Sequence, residues 1–265
     1  MACARLARDD SASDEPAAGK RMLIWVASYP RCGNRLIRTA LSAGWGFDGP
    51  SVFDAAERAR AEGKRRLPNP KRDPQIKACR EDIGPNFLKT HLLAHAGSKD
   101  RALLLIRDGR DSLVSYAHFM RQRPALARQR TYEQILLWLI ERGGGDFGSW
   151  SQSVDAWTGR SAPTEIVRFE RLRQDPLGIA REAVGLLGVD LGEPAGEMQS
   201  LERMREEDPS VVRSGRVGTW RREMPAAAVE RFAQLHGETL VRLGYESSVD
   251  PAAWGSVVGA DDGGR

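Results

Sequence analysis

The chain has 265 residues, of which 41% are hydrophobic and 29% charged, enough for one sizeable core. Its 27 glycines and 14 prolines follow no period, which excludes collagen-like and low-complexity chains. The formal net charge of +4 suits an anionic small molecule as well as a nucleic acid, so charge alone does not choose between these partners.

The cysteines Cys3, Cys32 and Cys79 are too few and too scattered for a disulfide framework or a cysteine-based zinc site. Their odd number favours a reducing compartment, and we expect a cytoplasmic protein. No apolar run approaches the roughly 18 residues that span a bilayer, and the polar, alanine-rich start of the chain does not resemble a signal peptide. We therefore expect no membrane partner.

Residues 1–20 and 251–265 show little apolar periodicity and are predicted to be flexible tails around one domain at 21–250. Within the domain, short apolar runs predict buried strands at 22–27, 86–91, 102–106 and 164–169. Helical spacing follows the first and third strands and recurs at 132–142, 150–157, 176–187 and 225–243. This alternation predicts an α/β domain whose parallel sheet is covered on both faces and binds ligands at the carboxyl ends of its strands.

Two stretches, 49–84 and 143–148, follow neither pattern. Long irregular segments in a compact domain often cover or line a substrate site. We expect these two stretches to form walls of the site.

The loop Tyr29-Pro30-Arg31-Cys32-Gly33-Asn34-Arg35 joins the first strand to a helix. Unpaired backbone N–H groups and the helix dipole at such a position favour a phosphate-like anion, and two arginines add positive charge. The nucleotide-triphosphatase pattern G-x-x-x-x-G-K-[ST] is absent from the sequence.

Four segments together resemble PAPS-dependent sulfotransferases of the cytosolic type. Residues 28–34 resemble that family's S-Y-P-K-S-G-[TN] loop, and 88–92 match its K-T-H-L sequence. Residues 107–119 resemble R-[ND]-P-[KR]-D-x-x-x-S-Y-x-H-F, and 213–221 resemble R-K-G-x-x-G-[DT]-W-[KR]. The four motifs follow the family's order and span about three-quarters of the chain.

The resemblance implies a P-loop-like three-layer α/β domain, with a central parallel sheet flanked by helices, that binds 3′-phosphoadenosine 5′-phosphosulfate (PAPS) and releases PAP. It assigns the 5′-phosphosulfate to the loop residues Arg31, Cys32, Gly33, Asn34, Arg35 and Leu36. It assigns the 3′-phosphate to Arg107, Ser115, Arg213 and Gly215, with Ser214 and Phe169 as further donor contacts. Guanidinium groups suit phosphate oxygens because they offer a fork of donors. We expect these separate turns to converge in space.

The resemblance also assigns catalytic roles. His91 stands where the family has its general base, and imidazole titrates close to working pH. Lys89 is expected to orient acceptor or sulfate oxygens. Arg31 replaces the family's lysine, and because arginine does not act as an acid we expect it to stabilise charge by hydrogen bonding. The mechanism requires no metal, and no cluster with metal-ligand spacing is present in the sequence.

Several positions depart from the family pattern. Arg35-Leu36 replaces Thr-Trp, Cys32 replaces serine, Ser214 replaces lysine, and Phe169 lacks the phenol of the family's tyrosine. An inactive relative that binds PAPS or PAP without turnover is therefore one alternative. A cysteine-dependent phosphatase using Cys32 and Arg38 is another, since residues 32–39 satisfy C-x5-R-[ST].

Nucleic-acid binding is a third alternative, based on the arginine-rich segments 64–66 and 121–123. No aromatic platform is interleaved with them, so solvated faces or lid charges are favoured and no nucleic-acid partner is expected.

The predicted acceptor is a hydroxyl of a small molecule, such as a phenol or a natural product, and the enzyme is expected to be a monomer or a homodimer. Five apolar residues are predicted either to line the acceptor cleft or to pack helices: Leu136, Trp138, Leu139, Trp150 and Trp157. His118 is expected to pack or cap, and His236 to lie on a surface helix.

Overall fold

A computed structural model describes residues 21–54, 74–94, 99–207 and 215–254. The described part contains a sheet of four parallel strands, in the order β2-β1-β3-β4. The strands are β1 (Arg21–Ser28), β2 (Gly84–Thr90), β3 (Arg101–Ile106) and β4 (Thr164–Arg168). All four predicted strands are confirmed. Seven of the eight β1 residues are buried, as expected for a central strand covered on both faces.

Helices flank this sheet. In chain order they are α1 (Asn34–Trp45), α2 (Pro74–Glu81), α3 (Gly109–Arg121), α4 (Pro124–Gln129), α5 (Tyr132–Arg142), α6 (Trp150–Thr158), α7 (Phe169–Leu172), α8 (Pro176–Leu186), α9 (Leu201–Glu207), α10 (Trp220–Glu223) and α11 (Ala226–Arg242). The long helices predicted by apolar spacing are confirmed, with ends within two residues of the prediction. Capping boxes begin α5 at Thr131 and α6 at Ser149, which fixes where these two helices start.

The two stretches predicted to be irregular are partly ordered. Within 49–84, Lys89 of β2 pairs with Pro50 and Val52 through backbone hydrogen bonds, and α2 covers 74–81. Within 143–148, Gly145–Phe147 forms one turn of 3-10 helix. The expectation of a wholly irregular stretch over 49–84 is therefore wrong, because α2 packs its apolar Ile76 and Cys79 into the core.

The apolar residues considered for an acceptor cleft pack helices instead. Leu136, Leu139, Trp150 and Trp157 are buried in the core cluster, and Trp138 packs partly buried against it. The packing alternative is therefore confirmed for the four buried residues.

His236 is buried rather than on the surface, with 2% of its area exposed. Its Nε2 lies 2.9 Å from the carbonyl oxygen of Ile140, and its Nδ1 lies 2.8 Å from the Ser151 hydroxyl. These two hydrogen bonds allow a polar ring to lie inside the helix packing.

Described structure continues past residue 250. Pro251–Ala253 forms a turn of 3-10 helix, and Trp254 packs edge-on against Trp220. The predicted N-terminal tail, the rest of the C-terminal tail and the segment 64–66 lie outside the described residues.

Candidate active site

Most of the predicted site residues follow directly on a strand end. The loop 29–33 follows β1, His91 follows β2, Arg107 follows β3, and Phe169 follows β4. Because the strands are parallel, their carboxyl ends lie at one edge of the sheet, which is where open α/β sheets bind ligands.

The first loop is a tight turn that opens α1. Arg31 and Gly33 adopt left-handed backbone conformations, with φ of 72° and 95°. Gly33 is required sterically, since an added Cβ would lie 2.8 Å from Cδ2 of Phe169. The N-cap residue of α1 is Gly33, which makes no side-chain cap hydrogen bond, and the first turn of a helix presents backbone N–H groups that can bind an anion. The geometry is that of an anion-binding loop, as the sequence predicts.

The side chains of this loop mostly point away from a ligand. Cys32, Asn34 and Leu36 are buried, while Arg35 is exposed. Asn34 Nδ2 donates to the Val26 carbonyl oxygen at 2.9 Å, which ties the loop to β1. Cys32, Asn34 and Leu36 can therefore serve an anion through the backbone N–H of the loop, whereas their side chains serve the fold.

Cys32 has the properties of a packed thiol. Its Sγ lies 3.2 Å from the Ser112 hydroxyl, and burial raises the pKa of the thiol to about 11. A phosphatase needs the thiolate and a guanidinium beside it, but Arg38 donates to the Gly49 carbonyl oxygen at 2.6 Å. The phosphatase alternative is therefore not supported by this site.

Arg107 connects the first loop to the C-terminal turn. Its Nη1 donates to the Arg31 carbonyl oxygen at 3.2 Å, and its Nη2 donates to the Arg216 carbonyl oxygen at 2.8 Å. The guanidinium lies 4.4 Å from the centre of the Phe169 ring. Its Nε is buried and has no hydrogen-bond partner among the described residues. A buried guanidinium N–H without a partner is suited to a phosphate oxygen.

Asp111 fixes the C-terminal turn against α3. Its Oδ2 accepts from the Gly218 N–H at 2.7 Å. Its Oδ1 accepts from the Thr219 hydroxyl and the Trp220 N–H, each at 3.0 Å. The carboxylate is fully buried, and its Oδ2 lies 3.7 Å from Nη2 of Arg107. Sequence reasoning missed this role, although the aspartate is part of the 107–119 motif.

The predicted convergence of the turns is present for the described residues. Arg31 Nε donates to the Ser115 hydroxyl at 3.1 Å, so the first loop contacts α3 as well as Arg107. Gly215 precedes Arg216, whose carbonyl oxygen accepts a hydrogen bond from Arg107. Its backbone is left-handed, with a φ of 62°. The predicted donor residues Arg213 and Ser214 lie outside the described residues.

A buried network of charged residues packs next to these turns, and sequence reasoning missed it. Arg110 pairs with Asp108 at 2.7 Å and with Glu246 at 2.6 Å. Its guanidinium lies 3.8 Å from the ring centre of Trp220 and 4.7 Å from that of Trp254. Glu246 and Trp254 are thereby joined to the start of α3, next to Arg107.

His91 is held in one tautomer. Its Nδ1 lies 2.9 Å from the Ser28 carbonyl oxygen and 3.1 Å from the Ser28 hydroxyl. Because a carbonyl oxygen only accepts, Nδ1 carries the proton and Nε2 keeps the lone pair. Burial lowers the pKa of His91 to about 3, and the positive charges of Lys89, Arg31 and Arg38 lower it in the same direction. The ring is therefore a neutral base.

Two phenylalanines flank this base. The ring centres of Phe53 and Phe147 lie 5.8 and 5.7 Å from that of His91, and 5.6 Å from each other. Lys89 Nζ lies 5.9 Å from the Phe53 ring centre. Phe53 and Phe147 come from the two stretches predicted to wall the site, but sequence reasoning did not single them out, because isolated apolar residues in irregular segments have no periodicity.

Among the residues that the structure describes, no group of three histidine, cysteine or acidic side chains is placed to hold a metal ion. Within the same ranges, no helix combines the length and apolarity needed to cross a membrane. His118 packs as predicted, with Nε2 at 2.7 Å from Oε2 of Glu223.

The chain resembles known sulfotransferases in sequence and in structure. It is 23% identical to human sulfotransferase 1C2 over 242 residues, covering 80% of each chain. It is 24% identical to the 3-beta-hydroxysteroid sulfotransferase of Cavia porcellus over 194 residues, covering 63% of this chain and 67% of that protein.

Solved structures show the same fold. Mouse sulfotransferase SULT7A1 complexed with PAP matches with a TM-score of 0.56 and 15% identity, covering 84% of this chain and 86% of that one. Retinol dehydratase, in complex with androsterone and inactive cofactor PAP, matches with a TM-score of 0.54 and 17% identity, over 83% and 81% of the two chains. These matches confirm the predicted P-loop-like α/β fold. The family model described as the sulfotransferase domain matches residues 22–244, and the chain therefore belongs to the sulfotransferase domain family, as a PAPS-dependent sulfotransferase.

Proposed function

We propose that this enzyme transfers the sulfuryl group of PAPS to a hydroxyl of a small molecule, with His91 as the general base. The observation that carries the proposal is the geometry of His91: its Nδ1 is hydrogen-bonded to the carbonyl oxygen of Ser28, the residue that directly precedes the loop 29–33, and its Nε2 keeps the lone pair. Such a group can accept a hydroxyl proton without first losing one of its own.

The donor is proposed to lie across the two contacting turns. Backbone N–H groups of 31–36 receive the 5′-phosphosulfate, because the first turn of α1 has no side-chain cap. The 3′-phosphate is received by Arg107, whose buried Nε lacks a partner among the described residues, and by Ser115. Arg213, Ser214 and Gly215 complete this end by resemblance to the family motif.

The chemical step follows from this placement. The acceptor oxygen attacks sulfur, its proton passes to Nε2 of His91, and the bond between sulfur and the bridging oxygen of the 5′-phosphate breaks. PAP then leaves with the added negative charge on its phosphate. Arg31 and the loop N–H groups stabilise that charge electrostatically, and Lys89 orients oxygens beside the base.

The acceptor is proposed to be a flat, apolar molecule carrying a hydroxyl. Phe53 and Phe147 flank His91, and stacking on aromatic rings suits a phenol or another ring system. The matched relatives include proteins named for hydroxysteroids, and one matched structure contains androsterone. These names agree with a small-molecule acceptor.

Calorimetric titration tests the donor assignment. PAP should bind more tightly than adenosine 5′-monophosphate, because Arg107 and its neighbours contact the phosphate that only PAP has. Equal weak binding of the two nucleotides would contradict the assignment.

Sulfation of a panel of phenols and alcohols, measured with PAPS, tests the base. His91→Ala should lower kcat by about 10²–10⁴-fold, the usual contribution of a positioned acid or base, while its Kd for PAP stays unchanged. Full turnover by the variant would show that another group is the base. PAP binding without sulfation of any acceptor by the wild type would favour the inactive relative.

A further inference from the structure

Asn34 donates two hydrogen bonds from one buried amide nitrogen. Its Nδ2 lies 2.9 Å from the Val26 carbonyl oxygen and 3.2 Å from the Ser28 hydroxyl oxygen. Because a carbonyl oxygen only accepts, the nitrogen of the amide, and not its oxygen, faces β1. Besides tying the loop to the strand, the Asn34 side chain therefore holds the hydroxyl of Ser28, the last residue of β1.

The oxygen of the same amide is left unsatisfied. Asn34 Oδ1 is buried and has no hydrogen-bond partner among the residues that the structure describes. A buried polar atom without a partner costs free energy, and an apolar side chain of similar shape would avoid that cost. The presence of an amide is thus explained by what its N–H groups do at Val26 and Ser28.

The Ser28 hydroxyl joins Asn34 to His91. The hydroxyl oxygen accepts from Asn34 and also lies 3.1 Å from Nδ1 of His91. A hydroxyl oxygen has two lone pairs, and the Asn34 amide and the Nδ1–H of His91 use one each. Without the amide, the hydroxyl could rotate and donate its proton to Nδ1. The ring proton would then lie on Nε2, and the lone pair that a base needs would be lost.

These three residues connect two parts of the proposed site. Asn34 is the first residue of α1, whose first-turn N–H groups are proposed to receive the 5′-phosphosulfate. His91 follows β2, the strand that pairs with β1. Ser28 and Asn34 are buried, so water competes little for their hydrogen bonds. The start of the donor helix and the base are therefore linked by side chains as well as by the sheet.

We propose that Asn34 and Ser28 are positioning residues for His91. The Asn34 amide orients the Ser28 hydroxyl, and Ser28 holds the ring so that the Nε2 lone pair is available to the acceptor's proton. This inference rests on the proposed role of His91 as the base and adds the two residues that keep it in the active tautomer. Because both residues act through the ring, their effect should appear in kcat rather than in the KM of the acceptor.

Ser28→Ala is the first test, since it removes the hydroxyl but keeps the Ser28 carbonyl and the bond between Asn34 and Val26. It should lower kcat at saturating PAPS by about threefold to tenfold, the range for a hydrogen bond between neutral groups. The acceptor KM and the Kd for PAP should change less than about twofold. Asn86→Ala is the matched control, because this amide also donates to backbone carbonyl oxygens, at the amino end of β2. It should leave kcat unchanged.

A double-mutant cycle with the base separates positioning from a general loss of structure. In the His91→Ala background, Ser28→Ala should change the remaining kcat by less than about twofold, because no ring is left to position. Equal fold-losses in the two backgrounds would overturn the proposal, since the hydroxyl would then act through the fold. Wild-type kcat in Ser28→Ala alone would overturn it as well.

Nitrogen-15 NMR of protein labelled at its histidine rings tests the part of Asn34. The His91 signals are those lost in His91→Asn, and in the wild type they should show a protonated Nδ1 and an unprotonated Nε2. In Asn34→Ala the two shifts should move toward each other, because the released Ser28 hydroxyl lets both tautomers form. Asn86→Ala should leave them unchanged. Unchanged His91 shifts in Asn34→Ala would overturn the role of the amide.

Failure of the proposed function would look different from failure of this inference. Full turnover by His91→Ala would show that both the proposed base and its positioning residues are wrong. Loss of turnover in His91→Ala together with wild-type kcat in Ser28→Ala would leave the base in place and contradict the positioning role alone.

Discussion

Backbone groups form one end of the proposed donor site, and side chains form the other. In the loop 29–36, the N–H groups at the start of α1 face the anion position, while Cys32, Asn34 and Leu36 turn into the core. At the opposite end, Arg107 projects its own guanidinium, and buried Asp111 fixes the turn beside it. The first end depends on chain path, whereas the second depends on the identity of a few charged residues.

This difference explains how departures from the family can be tolerated at one end, although Ser214 and Phe169 are departures at the other. The substitutions of Cys32, Arg35 and Leu36 all lie at the backbone-built end, where the N–H groups are the same whatever the side chain. The 107–119 motif, which supplies side chains, keeps its arginine, aspartate and serine. We therefore expect that changes at the side-chain end are costly and that many at the loop are mild.

The largest effect is expected for Asp111→Ala. This buried carboxylate accepts three hydrogen bonds from Gly218–Trp220. Its removal leaves those donors without their acceptor and Arg107 without its carboxylate partner. The free energy of unfolding should fall by about 3–5 kcal/mol, measured by urea denaturation. Asp155→Ala, which removes an exposed partner of Arg242, should cost less than about 1 kcal/mol. Equal losses in the two variants would contradict the stabilising role assigned to buried Asp111.

Arg107→Gln should weaken PAP binding by about a hundredfold, since a buried hydrogen-bonded charge is lost. Binding of adenosine 5′-monophosphate, which lacks the 3′-phosphate, should change little. Calorimetric titration measures both. Arg101→Gln, at the amino end of the same strand, is the control. A similar loss for both nucleotides would mean that Arg107 acts through the fold rather than through the 3′-phosphate.

The pH dependence should show the low pKa of His91. Because the base is neutral down to about pH 3, kcat/KM should show no acid limb near 6.5, the ordinary pKa of histidine. Between about pH 3 and pH 6.5 His91 is protonated in the unfolded chain but neutral in the native one. Its contribution to the free energy of unfolding is therefore full above about pH 6.5 and is lost as the pH falls.

Unfolding measured at pH 7 and pH 5 checks the second part. The stability lost between the two pH values should be smaller by about 1–2 kcal/mol in His91→Asn than in the wild type. His236, whose pKa burial also lowers, is present in both proteins and cancels. An acid limb of kcat/KM at pH 6.5 would contradict the description of His91.

The smallest effect is expected for Cys32→Ser. The thiol lies 3.2 Å from the Ser112 hydroxyl, and a serine hydroxyl can keep that contact while the loop N–H groups stay in place. Sulfation activity and PAP affinity should stay within about threefold of the wild type. Complete loss of activity would reopen a catalytic role for the thiol.

Local patterns predicted the sheet, the long helices and the loop at the start of α1, because apolar periodicity and strand-to-helix turns are recorded over a few neighbouring residues. The predicted surface position of His236 was wrong, because a histidine counts as polar in such patterns. In the fold, the Ile140 carbonyl and the Ser151 hydroxyl come from other helices and satisfy the buried ring. The roles of Asp111, Phe53 and Phe147 also depend on partners distant in the chain. Motif resemblance identified Arg107 and His91, but their contacts needed the three-dimensional structure.

Trp254 links the last described turn of the chain to the start of α3. Its ring covers one side of Arg110, which pairs with Asp108 at the start of α3, directly after Arg107. Trimming the enzyme at Asp250, where sequence patterns end the domain, would open that side to water and loosen the helix start. A shortened enzyme would then bind its nucleotide more weakly although every residue that touches the nucleotide is still present.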